Sequence, residues 1–159
     1  MILVADSSAL IALSLCDSLP LLETLYTSVR VPEAVFNEVI QPNKPQSMQL
    51  KFFLHGKVIP VNQSQFILMP YEIDLGEQEA MLLYKQLQAQ ALLVDDLHAR
   101  KVAHLNQIKV IGSLGVLLKA KDAGLIPLLF PLISRLANSG IFYSDQLIQT
   151  ILQAAGELL

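Results

Sequence analysis

The chain has 159 residues, 53% of them apolar and 16% charged, with a net charge of −3. That length suits one domain with a full core, and the acidic balance argues against a protein whose main task is gripping duplex DNA through phosphate contacts. It leaves room for a nuclease in which metal ions neutralise the substrate locally.

No uncharged apolar run reaches the ~18 residues that suggest a membrane span. The longest candidate, AGLIPLLFPLIS from Ala123 to Ser134, carries two prolines. No basic-then-apolar leader precedes Ile2, and the single cysteine, Cys16, has no internal partner for a disulfide. The expectation is therefore a cytoplasmic protein without membrane contact.

Strand and helix patterns alternate from the start. Ile2–Ala5 predicts a short buried strand, and Ser7–Leu15 a helix. SLPLLETLY opens a second helix with Pro20 in its first turn, where proline is tolerated. Ser28–Val31 predicts a strand, PEAVFNEVI a helix begun by Pro32, and QPNKPQ a loop. Lys57–Val61 predicts a third strand, with Pro60 marking an edge or an end. DLGEQEAMLLYKQLQAQ, opened by Asp74, is the strongest helix pattern. Ala91–Val94 predicts a strand, Leu97–His104 a helix and Ile108–Ile111 a strand. SLGVLLKAKDAG predicts a helix capped by Ser113 and stopped by Gly124. From about Ile126 the remainder of this single domain, residues 1–159, is helical in period, broken near Asn138–Gly140. Short apolar strands joined by helices predict an α/β fold: a three-layer α/β/α sandwich around a short, mainly parallel central sheet.

In such sheets, sites form beyond the carboxyl ends of the strands. Asp6 follows the first strand, and Asp95 and Asp96 follow the strand at Ala91–Val94. Taken alone, Asp6 and Asp95 each read first as helix N-caps. Asp96 has the spacing to pair with Arg100 one turn on.

Helical spacing sorts the other acids. In DLGEQEAMLLYKQL, Ala80, Leu83, Tyr84 and Leu87 define the apolar stripe, and Glu77 projects inside it while Glu79 does not. Asp74 reads as the cap. In PEAVFNEVI, Glu38 falls within the arc of Ala34, Val35, Phe36, Val39 and Ile40, while Glu33 and Asn37 fall outside. Acids that face inward are the informative ones.

If Asp6, Glu38, Glu77 and the Asp95–Asp96 pair converge, helix ends cannot hold them together. Two carboxylates ~4 Å apart repel by about 4 kcal/mol at an effective dielectric of about 20, whereas a helix N-terminus returns only ~0.3–1 kcal/mol. Either some are protonated or a divalent cation sits among them. Oxygen donors with no Cys or His cluster favour Mg²⁺ or Mn²⁺. His55, His98 and His104 have no metal-ligand spacing and read as surface or packing residues. No GxGxxG, P-loop or G-x-S-x-G is present.

VADSSALIAL, VPEAVFNEVI, DLGEQEAMLL, LLVDDLHARKVA and VIGSLGVLLKAKDAGLI, in this order, resemble the successive blocks of PIN-domain proteins, nearest to their VapC-like prokaryotic branch. The resemblance runs from Met1 to about Gly156. It implies a small α/β/α fold and a Mg²⁺- or Mn²⁺-dependent ribonuclease. Asp6, Glu38 and Glu77 match the family's first three acids. For the fourth, Asp95 occupies what is usually a hydroxyl position and Asp96 stands one residue early, so both are carried as catalytic and metal-binding candidates. The likeness also implies an RNA substrate and a toxin blocked by a small antitoxin partner. The stripe of Leu147, Ile148, Ile151, Leu152, Ala155 and Leu159 completes the core, or forms a homodimer face or partner groove. The competing reading is a non-enzymatic PIN-like scaffold that acts through a protein partner. A haloacid-dehalogenase-type phosphatase is disfavoured, since Asp6-Ser7-Ser8 lacks the second acid of D-x-D.

Overall fold

The computed structural model describes residues 1–70 and 72–158. Its centre is a sheet of four parallel strands, β1 (Ile2–Ala5), β2 (Ser28–Arg30), β3 (Ala91–Leu93) and β4 (Val110–Ile111), in the order β2-β1-β3-β4. Leu3, Val4, Ala5, Leu92 and Leu93 are buried. Helices cover both faces, which is why the strands read as unbroken apolar runs rather than as an alternation. The whole is an α/β/α sandwich, as the sequence predicts.

The helices are α1 (Ser7–Leu15), α2 (Leu19–Leu25), α3 (Glu33–Val39), α4 (Ser47–Phe53), α5 (Leu75–Leu87), α6 (Leu97–Leu105), α7 (Ser113–Asp122), α8 (Phe130–Asn138) and α9 (Asp145–Ala154). α5 packs on β1 and β3 and lies along α3, while α7 touches α1, α2 and α9. α8 and α9 bring Ile133, Leu136 and Leu152 into the apolar core. Of the α9 stripe, Leu152 is buried, Ile148, Ile151 and Ala155 are half-buried, and Leu147 is exposed; Leu159 lies outside the described residues. Gly124 ends α7 with φ +74°, a conformation glycine adopts without strain. Among the described residues no single helix is long and apolar enough to cross a membrane.

Two local expectations are corrected, and one helix is added. Lys57–Val61 forms a single parallel bridge, Val31 with Val58, and no strand. The Val31 N–H donates to the Lys57 carbonyl and the Ile59 N–H to the Val31 carbonyl; Pro60 then has no N–H with which to continue. α4 lies where the sequence pattern suggests no element, because its apolar residues sit on both faces. The α7 cap is not Ser113, which is the first helical residue and makes no cap bond to its own helix; the acceptor comes from Asp95 on the β3 side.

Parallel pairing sets all the strand ends at one edge. Ala5 is in register with Leu93, and Leu93 with Ile111. The Asp6 N–H donates to the Leu93 carbonyl at 2.8 Å, and the Val94 N–H to the Ile111 carbonyl at 2.9 Å. The two acidic steps that follow β1 and β3 are thereby laid side by side.

Candidate metal centre

Asp6 occupies the N-cap position of α1 with extended backbone, yet its side chain makes no cap bond. The carboxylate is 4% exposed, and its Oδ1 is the one buried side-chain N or O atom without a hydrogen-bond partner among the described residues. Its pKa is raised from 3.8 to about 7 by burial, against the Ser7 N–H, with the charges of Glu77, Asp74 and Glu38 adding to the rise. A buried carboxylate oxygen left bare is costly. The capping role that a lone aspartate suggests does not account for it.

Glu77 lies in the first turn of α5 and is 9% exposed. It forms a capping box with Asp74: its backbone N–H donates to Asp74 Oδ1 at 2.8 Å, and its Oε2 accepts the Asp74 N–H at 3.0 Å. Burial raises the Glu77 pKa from 4.5 to about 7, opposed by the Asp74 N–H and assisted by the charges of Asp74, Asp96 and Glu38. The capping role and the inward-facing role thus coexist in one side chain. Asp74, read from the sequence as a cap only, also contributes its charge to Asp6 and Glu77.

Glu38 reaches the same region from the last turn of α3. Ser7 Oγ donates to its Oε2 at 2.7 Å. Gly76 permits the close approach of α5: a Cβ there would lie 3.1 Å from Glu38 Oε2, 3.4 Å from Asp74 Oδ1 and 3.4 Å from Val35 Cγ2.

The consecutive acids after β3 part company. Asp95 turns to α7, where Oδ1 accepts the Ser113 N–H at 2.7 Å and Oδ2 accepts Ser113 Oγ at 2.6 Å. Ser113 Oγ also bonds the Tyr143 hydroxyl at 2.6 Å. Burial pushes the Tyr143 phenol well above its ordinary range. Asp96 caps α6, its Oδ1 accepting the Ala99 N–H at 2.8 Å, and it is exposed. The expected Asp96–Arg100 pair does not form among the described residues; Arg100 donates to the Val94 carbonyl instead.

Two open clefts border Glu38, Asp74, Glu77 and Asp96. One, of about 480 Å³, is lined by Glu72, Asp74, Glu77, Asp96 and His98, with Ile73 and Gln78. The other, of about 370 Å³, includes Asn37, Glu38, Gln41, Asp74 and Gly76. Asp74 belongs to both. The structure therefore brings Asp6, Glu38 and Glu77 into mutual electrostatic range, with Asp96 near Glu77, and engages Asp95 elsewhere. Sequence reasoning passed over Asp74 and His98. Their signal was position: each stands at the start of a helix that begins at the sheet's carboxyl edge.

Among the described residues no group of three or more His, Cys, Asp and Glu side chains is arranged to hold a metal ion. The donor set nonetheless suits a divalent cation in its chemistry. All the donors are carboxylate oxygens, one buried oxygen is unpartnered, and burial with neighbouring acidic charge raises the pKa of two of the acids to about 7. Asp6, Glu38, Glu77 and Asp96 are the residues that would hold one.

No curated protein and no solved structure gives a significant match to this sequence. A family model described as a PIN domain matches residues 2–157, nearly the full length, and spans every acid described above. The chain belongs to the PIN-domain family.

Proposed function

We propose that the protein is a Mg²⁺- or Mn²⁺-dependent ribonuclease that hydrolyses phosphodiester bonds in single-stranded or looped RNA. PIN domains are in general nucleases and typically use divalent metals. The observation that carries the reading is the bare, buried Asp6 Oδ1, on a carboxylate within electrostatic range of Glu38, Asp74 and Glu77. A bound divalent ion supplies an activated water and neutralises phosphate charge. The chain's own part is to prepare that place. Asp6 offers the unpartnered oxygen at the sheet edge. Ser7 orients Glu38. The capping box fixes Glu77. Asp95, through Ser113, steadies the turn from which Asp96 projects.

The likeness to the VapC-like branch supports a toxin role, with a small antitoxin partner covering the acidic clefts. The exposed Leu147 on α9 supports a homodimer contact. The free, buried Cys16 thiol fits a reducing cytoplasm. The second reading, a non-enzymatic scaffold acting through a protein partner, is favoured by one observation: no three acids stand at ligand spacing among the described residues.

Incubating a mixed RNA pool with Mg²⁺ or Mn²⁺ separates the two. Wild type is expected to cut and Asp6→Asn to lose about 100-fold or more, the scale of removing one electrostatic stabiliser. Metal-dependent cutting of equal strength by both proteins would remove the site from the reaction.

A further inference from the structure

An acidic cleft repels the phosphates of its own substrate, so affinity for RNA has to come from elsewhere on the surface. α4 and the turn before it carry groups that the acidic site does not use. α4 buries Ser47 and Leu50. Met48, Lys51 and Phe52, at i, i+3 and i+4, share another face. Met48 is 76% exposed and Phe52 is 88% exposed. The neighbouring Phe53 differs: it is half-buried, with Lys57 Nζ 4.7 Å from its ring centre, and Lys57 in turn pairs with Glu23. Among the described residues the Lys44 and Lys51 side chains have no hydrogen-bond or ion-pair partner.

This face follows the acidic site along the chain. Gln41 lines the cleft that contains Glu38 and Asp74. The Lys44 N–H donates to the Gln41 carbonyl at 3.2 Å, and the Ser47 N–H to the Lys44 carbonyl at 3.1 Å. Glu38, Gln41, Lys44 and the outer face of α4 therefore follow one another along the chain without a break. Exposed aromatic rings interleaved with cations mark surfaces for single-stranded nucleic acid, where bases stack and phosphates are neutralised. Protein–protein contacts are enriched in Phe and Met but depleted in lysine, so it is the two unpaired lysines that favour a phosphate-bearing ligand. A paired duplex offers no free base face to the ring.

We propose that Lys44, Met48, Lys51 and Phe52 form a binding track for the single-stranded RNA beside the cleaved bond. Lys44 and Lys51 hold phosphates, and Phe52, backed by Met48, stacks an unpaired base. The identity of the ligand rests on the nuclease reading, but binding requires no cleavage, so the two can fail separately.

The test is fluorescence anisotropy of a short labelled single-stranded RNA at low salt with EDTA, using full-length protein whose folding is checked by circular dichroism. Phe52→Ala is expected to weaken binding about 5- to 150-fold, the range for losing one stacked base. The Lys44→Ala/Lys51→Ala double variant is expected to flatten the plot of log affinity against log salt by about 1.4, for two single-strand phosphate contacts. A Lys101→Ala/Lys109→Ala control on the α6–β4 side is expected to do less. Folded variants that bind RNA as tightly as wild type would overturn the track, as would wild type that binds none. Unchanged RNA affinity together with a change in oligomeric state on Phe52→Ala would assign the face to a protein contact and also overturn it. Wild type that binds through α4 but cuts nothing with Mn²⁺ would remove the nuclease reading and leave the track standing.

Discussion

Asp6 concentrates the physical problem of this fold. Folding raises its pKa from 3.8 to about 7, so the folded, metal-free protein holds the proton more tightly than the unfolded chain. The resulting stabilisation is complete below about 3.8 and is lost as pH climbs through about 7. Metal-free protein is expected to be less stable at roughly pH 8 than at roughly pH 5, by about 2–3 kcal/mol from Asp6 alone. Urea unfolding across that range checks it. Asp6→Asn should flatten the fall; the same slope in the variant would assign the effect to other groups. Asp6, Glu38 and Glu77 could be read from the sequence because each breaks an apolar pattern. Asp74 and His98 break no such pattern and are marked only by their place at a helix start. A helix-start aspartate has a sufficient local reason to exist, and an exposed histidine breaks no pattern at all.

At the scale of elements, the turn between β3 and α6 assigns unlike tasks to two adjacent acids. Which acid faces the cleft and which faces α7 depends on the turn's backbone and on where α7 begins, and neither is written in the spacing of Asp95 and Asp96. Removing Asp95 strips the acceptor from both the N–H and the Oγ of the buried Ser113. Asp95→Ala is therefore expected to cost about 1–3 kcal/mol of stability while keeping the protein's response to Mn²⁺. Asp96→Ala should cost only about 1 kcal/mol, the value of a cap, and should weaken the Mn²⁺ response. Thermal melts of both variants with and without Mn²⁺ check the division. Loss of the metal response in Asp95→Ala at unchanged stability would reverse it. α4 escaped notice for a related reason. Met48 and Phe52 face water while Leu50 faces the core, and apolar residues on both sides blur the period from which helices are read.

At the scale of the molecule, the parallel sheet explains how distant acids meet. Every strand ends at one edge, and the helices that leave that edge begin there, so caps and strand-end acids from three segments are gathered by topology, and Glu38 joins them from the last turn of α3. The alternation of short apolar strands with helices made this architecture readable in advance. The failure at Lys57–Val61 shows the limit: a run of suitable residues pairs only as far as its N–H groups allow, and Pro60 lies inside it. Convergence at this edge is also what a cation would relieve, since an ion bound only by the folded state stabilises it by about 2.7 kcal/mol at a hundred times its Kd. The most direct measurement is the melting temperature of wild type and Asp6→Asn at neutral pH, titrated with Mn²⁺. Wild type should rise with Mn²⁺ and Asp6→Asn should lose most of that rise. An equal rise in both, or none in wild type at millimolar Mn²⁺, would contradict the account.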